Sequence, residues 1–190
     1  MTEPRTVDFL TVPTCRNFGS AWGTQDLSSP HEGDPMPHGL DTDTEVFFYE
    51  HEFYPLSNFS AFRVLWKGTD FDTSEHAYQF EKFQHMEGVL VGEAITLARS
   101  AHHAFSIARA RADLVRPDWH DVRVDIMRGI LRAKLAQHEY IQRKLRQTGG
   151  RLLIENSWRD DFWGWGPNRD GQNMLGKLWM ELRAELRTAP

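Results

Sequence analysis

The order of hydrophobic and polar residues predicts β structure between residues 46 and 71. A β-prone run at residues 46–49 predicts a short strand. Two further runs, residues 62–66 and 69–71, lie on either side of Lys67-Gly68. Because glycine can supply the positive φ that a tight turn requires, these two runs predict a β-hairpin.

After the hairpin, apolar residues recur at helical spacing, which predicts a series of helices. Residues 151–155 predict one more short, buried strand, and Leu175, Leu178, Leu182 and Leu186 predict a closing helix. The sequence therefore predicts an α+β fold, a predominantly helical single domain with a small β-sheet. The other helices are expected near residues 74–86, 89–99, 101–114, 119–137 and 138–147.

Residues 1–44 differ in composition from the rest of the chain. They are rich in Pro, Gly, Ser, Thr and Asp and show no sustained period, which predicts an irregular N-terminal extension before one globular domain at residues 45–188. A length of 190 residues with 40% hydrophobic content suits a single domain. Cys15 is the only cysteine, and no stretch resembles a membrane span or a signal peptide, so a cytoplasmic protein is expected.

The charge of the chain is unevenly distributed. The formal net charge is −5, which disfavours a protein that holds a nucleic-acid backbone through bulk charge. Residues 1–60 hold 2 basic and 10 acidic side chains, whereas residues 96–151 hold 12 basic and 5 acidic side chains. The basic middle segment either faces an anion such as a phosphate or is a solvated helix surface.

Several enzyme classes are excluded because their motifs are absent from the sequence. His102 and His103 are adjacent, so they point apart on a helix, and no H-E-x-x-H spacing exists. No G-x-S-x-G motif of a serine hydrolase occurs. Residues 171–178 only half match a P-loop, because Leu178 stands where Ser or Thr would hold magnesium. Neither a metal nor another cofactor is expected.

The helix predicted after the hairpin carries the first candidate chemistry. Glu75, Gln79 and Lys82 share one face of it, because residues three and four apart are neighbours on a helix. Two structural interpretations compete with a functional one. Asp72 and Glu75 have the spacing of a capping box, and Lys82 alone is typical of a solvated charge.

The second candidate cluster lies in residues 156–166, which contain three tryptophans, two acids and two glycines. Aromatic faces suit stacking on a base, glycines permit close backbone approach, and carboxylates suit acid or base chemistry on a sugar. The structural alternative is that Trp163 and Trp165 anchor a long surface loop.

An ordered set of motifs runs through residues 46–186: Phe48-Tyr49, Leu56-Ser57-Asn58-Phe59, Ser74-Glu75-His76, Gln79, Lys82, Trp119, Met127, Arg132-Ala133-Lys134, Trp163-Gly164, Asn173-x-Leu175-Gly176, Met180 and Arg183. With this set the chain resembles the NADAR (YbiA-like) domain family, which predicts the YbiA-like fold. The resemblance implies N-glycosidase activity on one of two substrate classes. The first is ADP-ribose attached to guanine of a nucleotide or nucleic acid, which the basic middle segment favours. The second is a ribosylamino-pyrimidine phosphate of riboflavin biosynthesis.

The resemblance also implies residue roles. Lys82 would form a Schiff base with ribose C1, and Glu75 would move protons to the ring oxygen and the leaving amine. Asp161 would activate water or orient the ribose hydroxyls; alternatively, Glu75 and Asp161 would act as a carboxylate pair without a covalent lysine. A non-catalytic module that binds ADP-ribose, or a helical interaction domain, remains an alternative. The expected substrate-binding residues are Phe48, Tyr49, Ser57, Asn58, Phe59, Gln79, Trp119, Trp163, Gly164 and Asn173.

Overall fold

The computed structural model describes residues 40–49 and 51–188. The strands in these residues are three residues long and form two separate two-stranded sheets. Strand β1 (Glu45–Phe47) pairs in parallel with β4 (Leu152–Ile154), and β2 (Val64–Trp66) pairs antiparallel with β3 (Thr69–Phe71). The irregular extension expected at residues 1–44 lies outside the described residues except for its last five.

The predicted hairpin is confirmed. Lys67 and Gly68 connect β2 to β3, and both have positive φ, 47° and 84°. Two successive positive φ values are typical of the type I′ turn, whose twist matches that of the flanking strands. Glycine adopts this backbone without strain, and Lys67 is held there by an ion pair with Glu81, whose Oε1 lies 2.8 Å from its Nζ.

Helices make up most of the described residues, which confirms the predominantly helical α+β fold. The predicted helix over residues 74–86 ends at Glu81, because Lys82 and Phe83 instead form i−3 hydrogen bonds to Gln79 and Phe80. None of the described helices is long and apolar enough to cross a membrane. The helices are α1 (Ser74–Glu81), α2 (Val89–Thr96), α3 (Ala101–Ala110), α4 (Trp119–Gln137), α5 (Glu139–Gln147) and α6 (Met174–Thr188), and short 3-10 helices occupy His51–Leu56, Met86–Gly88 and Ala112–Leu114.

Two hydrophobic clusters form the core, and α1 lies between them. The larger cluster joins both sheets to α4, α5 and α6, and Ala77 and Tyr78 of α1 belong to it. The smaller cluster joins the end of α1 to α2 and α3 around Phe83 and Ile95. Since α1 packs on both sides, residues 74–79 are all buried, polar ones included. The polar side chains of this short helix are therefore held in place by packing on both sides and largely shielded from bulk solvent.

Candidate active site

A cavity of about 390 Å³ opens where α1, α3 and α4 meet the loop of residues 155–173 between β4 and α6. This volume lies in the range of small-molecule sites, and the wall is aromatic with a few polar groups among the rings. Tyr78 and Trp119 form one side, with ring centroids 4.9 Å apart, and Trp163 donates a hydrogen bond from Nε1 to the Tyr78 hydroxyl at 3.2 Å. The three rings form a continuous aromatic wall.

The start of α1 is held by Thr73 and not by a capping box. The Thr73 hydroxyl accepts a hydrogen bond from the His76 backbone N–H at 3.3 Å and lies 2.8 Å from its Nδ1, while His76 Nε2 lies 3.1 Å from the Ala98 carbonyl oxygen. Asp72 is exposed and faces Arg63, so the spacing of Asp72 and Glu75 does not reflect a cap. The Glu75 side chain is left to face the cavity.

Glu75 is a buried carboxyl group in the wall of the cavity. Its Oε1 accepts a hydrogen bond from Gln79 Nε2 at 2.7 Å, and its backbone N–H donates to the Asn58 carbonyl oxygen at 3.1 Å. Burial raises the pKa of Glu75 to about 7, although the Gln79 hydrogen bond and the charge of Lys82 act in the opposite direction. Near neutral pH this group can therefore both donate and accept a proton.

Lys82 follows α1 directly and brings its amine into the same cavity. Its Nζ lies 5.4 Å from the Tyr78 ring centroid and 5.5 Å from that of Trp119. Burial lowers the pKa of Lys82, the charge of Glu75 opposes this shift, and the charge of Arg123 adds to it. A lowered pKa increases the fraction of neutral amine, which is the nucleophilic form. Glu75, Gln79 and Lys82 all line this cavity, so they lie on one side of the helix as their spacing predicted.

The loop of residues 155–173 contributes Asp160 to the cavity, where the sequence had pointed to Asp161. Asp160 Oδ1 accepts hydrogen bonds from the backbone N–H groups of Phe162 and Trp163 at 2.9 and 2.8 Å, which directs this side chain inward. Asp161 is exposed and does not line the cavity; its carbonyl oxygen accepts from Gln172, which ties the backbone to the far side of the loop. The structure thus places the side chain of Asp160, and not that of Asp161, in the cavity wall.

Glu155 is a further cavity residue that the sequence analysis missed. It follows β4, is buried, and its Oε2 has no hydrogen-bond partner among the described residues. Burial raises the pKa of Glu155 well above its ordinary value, and the charges of Asp160 and Glu75 add to this shift. Its position at the end of a predicted buried strand was an available signal, because polar residues at strand ends often line sites.

The ten predicted substrate-binding residues divide into cavity wall and supporting layer. Phe48 lies in the core, and Ser57 is buried, where its carbonyl oxygen accepts from Lys134 Nζ at 2.9 Å. Asn173 joins the loop to β4, accepting from the Glu155 N–H and donating to the Leu153 carbonyl oxygen. Gly164 does not line the cavity, and a Cβ there would lie 2.9 Å from the Cβ of the lining residue Ser157. The other six line the cavity: Tyr49, Asn58, Phe59, Gln79, Trp119 and Trp163.

Unpartnered polar atoms point to what the cavity can bind. Within the described residues, Asn58 Oδ1 and Gln79 Oε1 are buried acceptors without a donor, Glu155 Oε2 is a buried carboxyl oxygen without a partner, and Arg123 Nε is a buried donor without an acceptor. Buried polar atoms are costly unless they are hydrogen-bonded, so these groups suit a ligand that carries both hydroxyl or amino donors and an acceptor. In the same residues, no three His, Cys, Asp or Glu side chains are grouped to hold a metal ion.

A family model links this site to known proteins. The NADAR domain model matches residues 47–187, which include every cavity residue described above. The chain belongs to the NADAR domain family. The YbiA protein of Escherichia coli has the same fold, with a TM-score of 0.68 and 34% identity over 78% of this chain and 88% of that chain. The predicted YbiA-like fold is thus confirmed.

Curated relatives of this NADAR protein carry two kinds of name. An N-glycosidase of Nostoc punctiforme is 35% identical over 75% of this chain and 92% of its own length. The N-glycosidase YbiA of Escherichia coli is 35% identical over 76% of this chain and 89% of its own length. A riboflavin biosynthesis protein of Vibrio vulnificus is 38% identical over 74% of this chain. The match spans only 38% of that protein's length.

Proposed function

We propose that this NADAR protein is an N-glycosidase that hydrolyses the bond between ribose C1 and the exocyclic amine of a base. One observation carries the proposal: a single cavity holds an amine with a lowered pKa, Lys82, beside a carboxyl group, Glu75, whose pKa is about 7. Such a pair can supply a nucleophile and a proton donor at neutral pH. The names of the relatives from Nostoc punctiforme and Escherichia coli support the same activity.

The first step of the proposed mechanism is opening of the ribose ring. The lone pair of the exocyclic nitrogen forms a C1=N double bond, the bond from C1 to the ring oxygen breaks, and Glu75 gives its proton to that oxygen. The Lys82 amine then attacks C1. A proton passes from the Lys82 nitrogen to the nitrogen of the base by way of Glu75, so the base leaves as a neutral amine.

The second half of the reaction releases the sugar from Lys82. The departure of the base leaves a protonated Schiff base between C1 and the Lys82 nitrogen. Water adds to C1 and gives a proton to Asp160, which passes it on to the Lys82 nitrogen. As the C1–N bond breaks, the hydroxyl proton returns to Glu75 and the aldehyde of ribose forms. All three side chains recover their starting protonation states, so the cycle balances.

A direct displacement is the alternative mechanism on the same residues. Glu75 would protonate the leaving amine while Asp160 activates water or stabilises the positive charge at C1, as in glycosidases with two carboxyl groups. This route needs no bond to Lys82. The two mechanisms can be told apart because only the first forms a covalent intermediate between ribose C1 and the Lys82 nitrogen.

For the substrate, we favour ADP-ribose attached to guanine in nucleic acid. The cavity volume of about 390 Å³ lies in the range of small-molecule sites, and Arg123, Arg159 and His102 line the cavity. The formal charge of residues 96–151, with 12 basic and 5 acidic side chains, supports a polyanionic substrate. The aromatic wall around Trp119 suits stacking on the base.

A ribosylamino-pyrimidine phosphate is the second candidate substrate. The observation that favours it is the name of the Vibrio vulnificus relative, a riboflavin biosynthesis protein. Its bond between ribose C1 and an exocyclic amine is of the same type, so Glu75, Lys82 and Asp160 would act in the same way. The two candidates differ in the base and in the group beyond the phosphate of the ribose.

The proposal is tested by incubating the purified protein with each substrate and measuring the released base. We expect release from an ADP-ribosylated guanine oligonucleotide, from the ribosylamino-pyrimidine phosphate, or from both, and no release by Lys82→Ala. The substrate with the higher kcat/KM is the preferred class. If neither substrate is cleaved while ADP-ribose binds, the protein is a binding module and the proposal is wrong.

A further inference from the structure

Arg123 is a cation in the cavity that the proposed mechanism does not use. It lies in the second turn of α4, and its guanidinium carbon is 3.6 Å from the ring centroid of Phe162. A guanidinium group stacked on an aromatic ring is held in one plane and keeps its N–H edges available for hydrogen bonds. Phe162 therefore orients Arg123 without neutralising it.

The other arginines in and just before α4 are paired with carboxylates, and Arg123 is not. Arg116 bonds to Asp118 through two nitrogens, at 2.5 and 2.7 Å. Arg128 and Arg132 reach across to carboxylates of α6. Within the described residues Arg123 has no ion pair, and its buried Nε has no hydrogen-bond acceptor. The contrast singles out Arg123 as the one α4 arginine without a carboxylate partner among the residues that the structure describes.

Among the described residues, none of the cavity carboxyl groups of Glu75, Glu155 and Asp160 forms an ion pair with Arg123. The Oδ1 of Asp160 accepts two backbone hydrogen bonds, and Glu75 accepts one from Gln79. The charge of Arg123 acts on Lys82, whose pKa it helps to lower, so the two cations lie within electrostatic reach of each other. An anion bound by Arg123 would thus lie near the group that reacts with C1.

We propose that Arg123 binds a phosphate oxygen carried by the ribose of the substrate and thereby determines specificity for phosphorylated ribosides. This inference rests on the proposed function and adds a substrate requirement to it. A planar guanidinium can give two parallel hydrogen bonds to a phosphate, and the buried Nε is one of the donors that such a contact uses. Both candidate substrates carry a phosphate on this ribose, so the requirement holds for either base.

The test compares a phosphorylated substrate with its dephosphorylated form in the wild type and in Arg123→Gln. The ribosylamino-pyrimidine phosphate and the riboside made from it by phosphatase treatment form a matched pair. We expect kcat/KM for the phosphorylated form to fall about 10- to 100-fold in Arg123→Gln, the size typical of a lost hydrogen bond to a charged group. The preference for the phosphorylated form should fall by the same factor.

The ratio of kcat/KM for the phosphorylated substrate to kcat/KM for the dephosphorylated one separates phosphate binding from an effect of Arg123 on the pKa of Lys82. A change in the pKa of Lys82 would alter the rates on both substrates equally and leave their ratio unchanged. Arg128→Gln is the matched control, since Arg128 lies on the same helix but pairs with Glu181 at the surface, and it should leave the ratio as in the wild type. An unchanged ratio in Arg123→Gln would overturn the inference.

A binding measurement tests the inference even if neither substrate is cleaved. Ribose 5-phosphate and ribose are titrated into the wild type and Arg123→Gln by calorimetry, with ADP-ribose as a second phosphorylated probe. We expect Arg123→Gln to weaken binding of the two phosphorylated probes at least about 10-fold. If wild type and Arg123→Gln bind them equally, or if the wild type does not distinguish ribose 5-phosphate from ribose, the inference is wrong.

Discussion

The chemistry of the cavity depends on side chains whose charged forms are disfavoured by burial. Glu75 and Lys82 are linked in this respect, because each charge favours the charged form of the other. Catalysis through a Schiff base requires the carboxylic acid and the neutral amine together. As pH rises, Glu75 loses its proton near 7 while more Lys82 becomes neutral, so kcat/KM should follow a bell-shaped pH profile.

Glu75→Gln should change both the height and the shape of this profile. We expect kcat/KM to fall by about 10²–10⁴-fold, the usual contribution of a general acid or base. The fall in kcat/KM near pH 7 should be absent, so that kcat/KM only rises with pH as Lys82 becomes neutral. Activity is measured from pH 5 to 10, with the folded fraction followed by circular dichroism. If the pH profile of Glu75→Gln still showed the fall in kcat/KM near pH 7, titration of Glu75 could not be the cause of that fall.

The neighbouring residues Asp160 and Asp161 offer a paired test of the loop. Asparagine keeps one oxygen that can accept the hydrogen bonds of Phe162 and Trp163, so Asp160→Asn should preserve the loop and remove the charge. We expect Asp160→Asn to lower kcat at least about 10-fold and to lower it more than Asp161→Asn does. Steady-state kinetics on one substrate decide this. A larger loss of kcat in Asp161→Asn than in Asp160→Asn would indicate that Asp161, and not Asp160, is the catalytic carboxylate.

Sequence reasoning found some cavity residues and missed others for clear reasons. Helical periodicity placed Glu75 and Lys82 on one face, because the spacing of a helix is fixed by its geometry. Asp160 and Asp161 lie in a loop, where no period indicates which side chain turns inward. Arg123 was one of several arginines in the basic segment of residues 96–151 that were expected either to face an anion or to be solvated, and the sequence could not single it out because ion pairs are set by the tertiary structure. Glu155 was not predicted as a site residue, although it ends a predicted strand.

At the scale of elements, α1 is short and depends on its cap and on packing from both sides. Isolated helices of this length are not stable in water, so the eight residues of Ser74–Glu81 are held by their surroundings. Thr73 satisfies the His76 N–H at the start, and the Asn58 carbonyl oxygen accepts the Glu75 N–H. The position of Glu75 is therefore coupled to the cap.

Thr73→Ala should weaken both stability and activity. Loss of an N-cap side chain costs about 1 kcal/mol in free energy of unfolding, which urea denaturation would measure. Ser100→Ala is the matched control, because Ser100 caps α3 in the same way through the His103 N–H. Both variants should lose similar stability, but Thr73→Ala should lose more kcat. Equal kcat in the two variants would show that the cap does not position Glu75.

The sequence predicted the type and order of the elements better than their ends. The hairpin followed from a glycine turn between two β-prone runs, and the structure confirms it. The helix expected over residues 101–114 ends at Ala110 and continues as a 3-10 turn at Ala112–Leu114. Hydrophobic periodicity continues through such turns, since residues three apart also share a side of a 3-10 helix. The parallel pairing of β1 with β4 was not predictable from local pattern, because it joins two strands that are far apart in the sequence.

At the scale of the whole molecule, Lys134 connects the core to the cavity. This fully buried residue of α4 donates from Nζ to the Ser57 carbonyl oxygen at 2.9 Å and to Ser60 Oγ at 2.8 Å. It thereby holds the turn that presents Asn58 to the cavity. Burial lowers the pKa of Lys134 to about 7, although the charge of Glu155 opposes this shift.

This buried lysine gives the stability of the protein a defined pH dependence. In the unfolded chain Lys134 keeps its proton up to a pH of about 10.5, whereas in the folded protein it loses the proton near pH 7. Between these values the unfolded state binds more protons, so the contribution of Lys134 to the free energy of unfolding increases as pH rises. Glu75 has the opposite effect at lower pH, because its pKa is raised from 4.5 in the unfolded chain to about 7 in the folded protein. Between these pH values its contribution to the free energy of unfolding decreases as pH rises.

Lys134→Met removes this contribution together with the interaction between the charges of Lys134 and Glu155. The free energy of unfolding of the variant minus that of the wild type should decrease as pH rises from 7 to 10, by an amount on the order of a few kcal/mol. Loss of the two hydrogen bonds shifts this difference by a constant and does not change its slope. Urea denaturation at several pH values measures it. A difference that is independent of pH would mean that Lys134 keeps its ordinary pKa in the folded protein.

Borohydride reduction, which converts an imine into a stable amine, tests the proposed Schiff base on Lys82. The protein is mixed with substrate and borohydride, and the modified residue is located by mass spectrometry of peptides. We predict a substrate-dependent adduct with the mass of the reduced sugar portion on Lys82, with none in Lys82→Ala or without substrate. Full turnover with no adduct on Lys82 would contradict the Schiff-base mechanism and favour the direct displacement by Glu75 and Asp160.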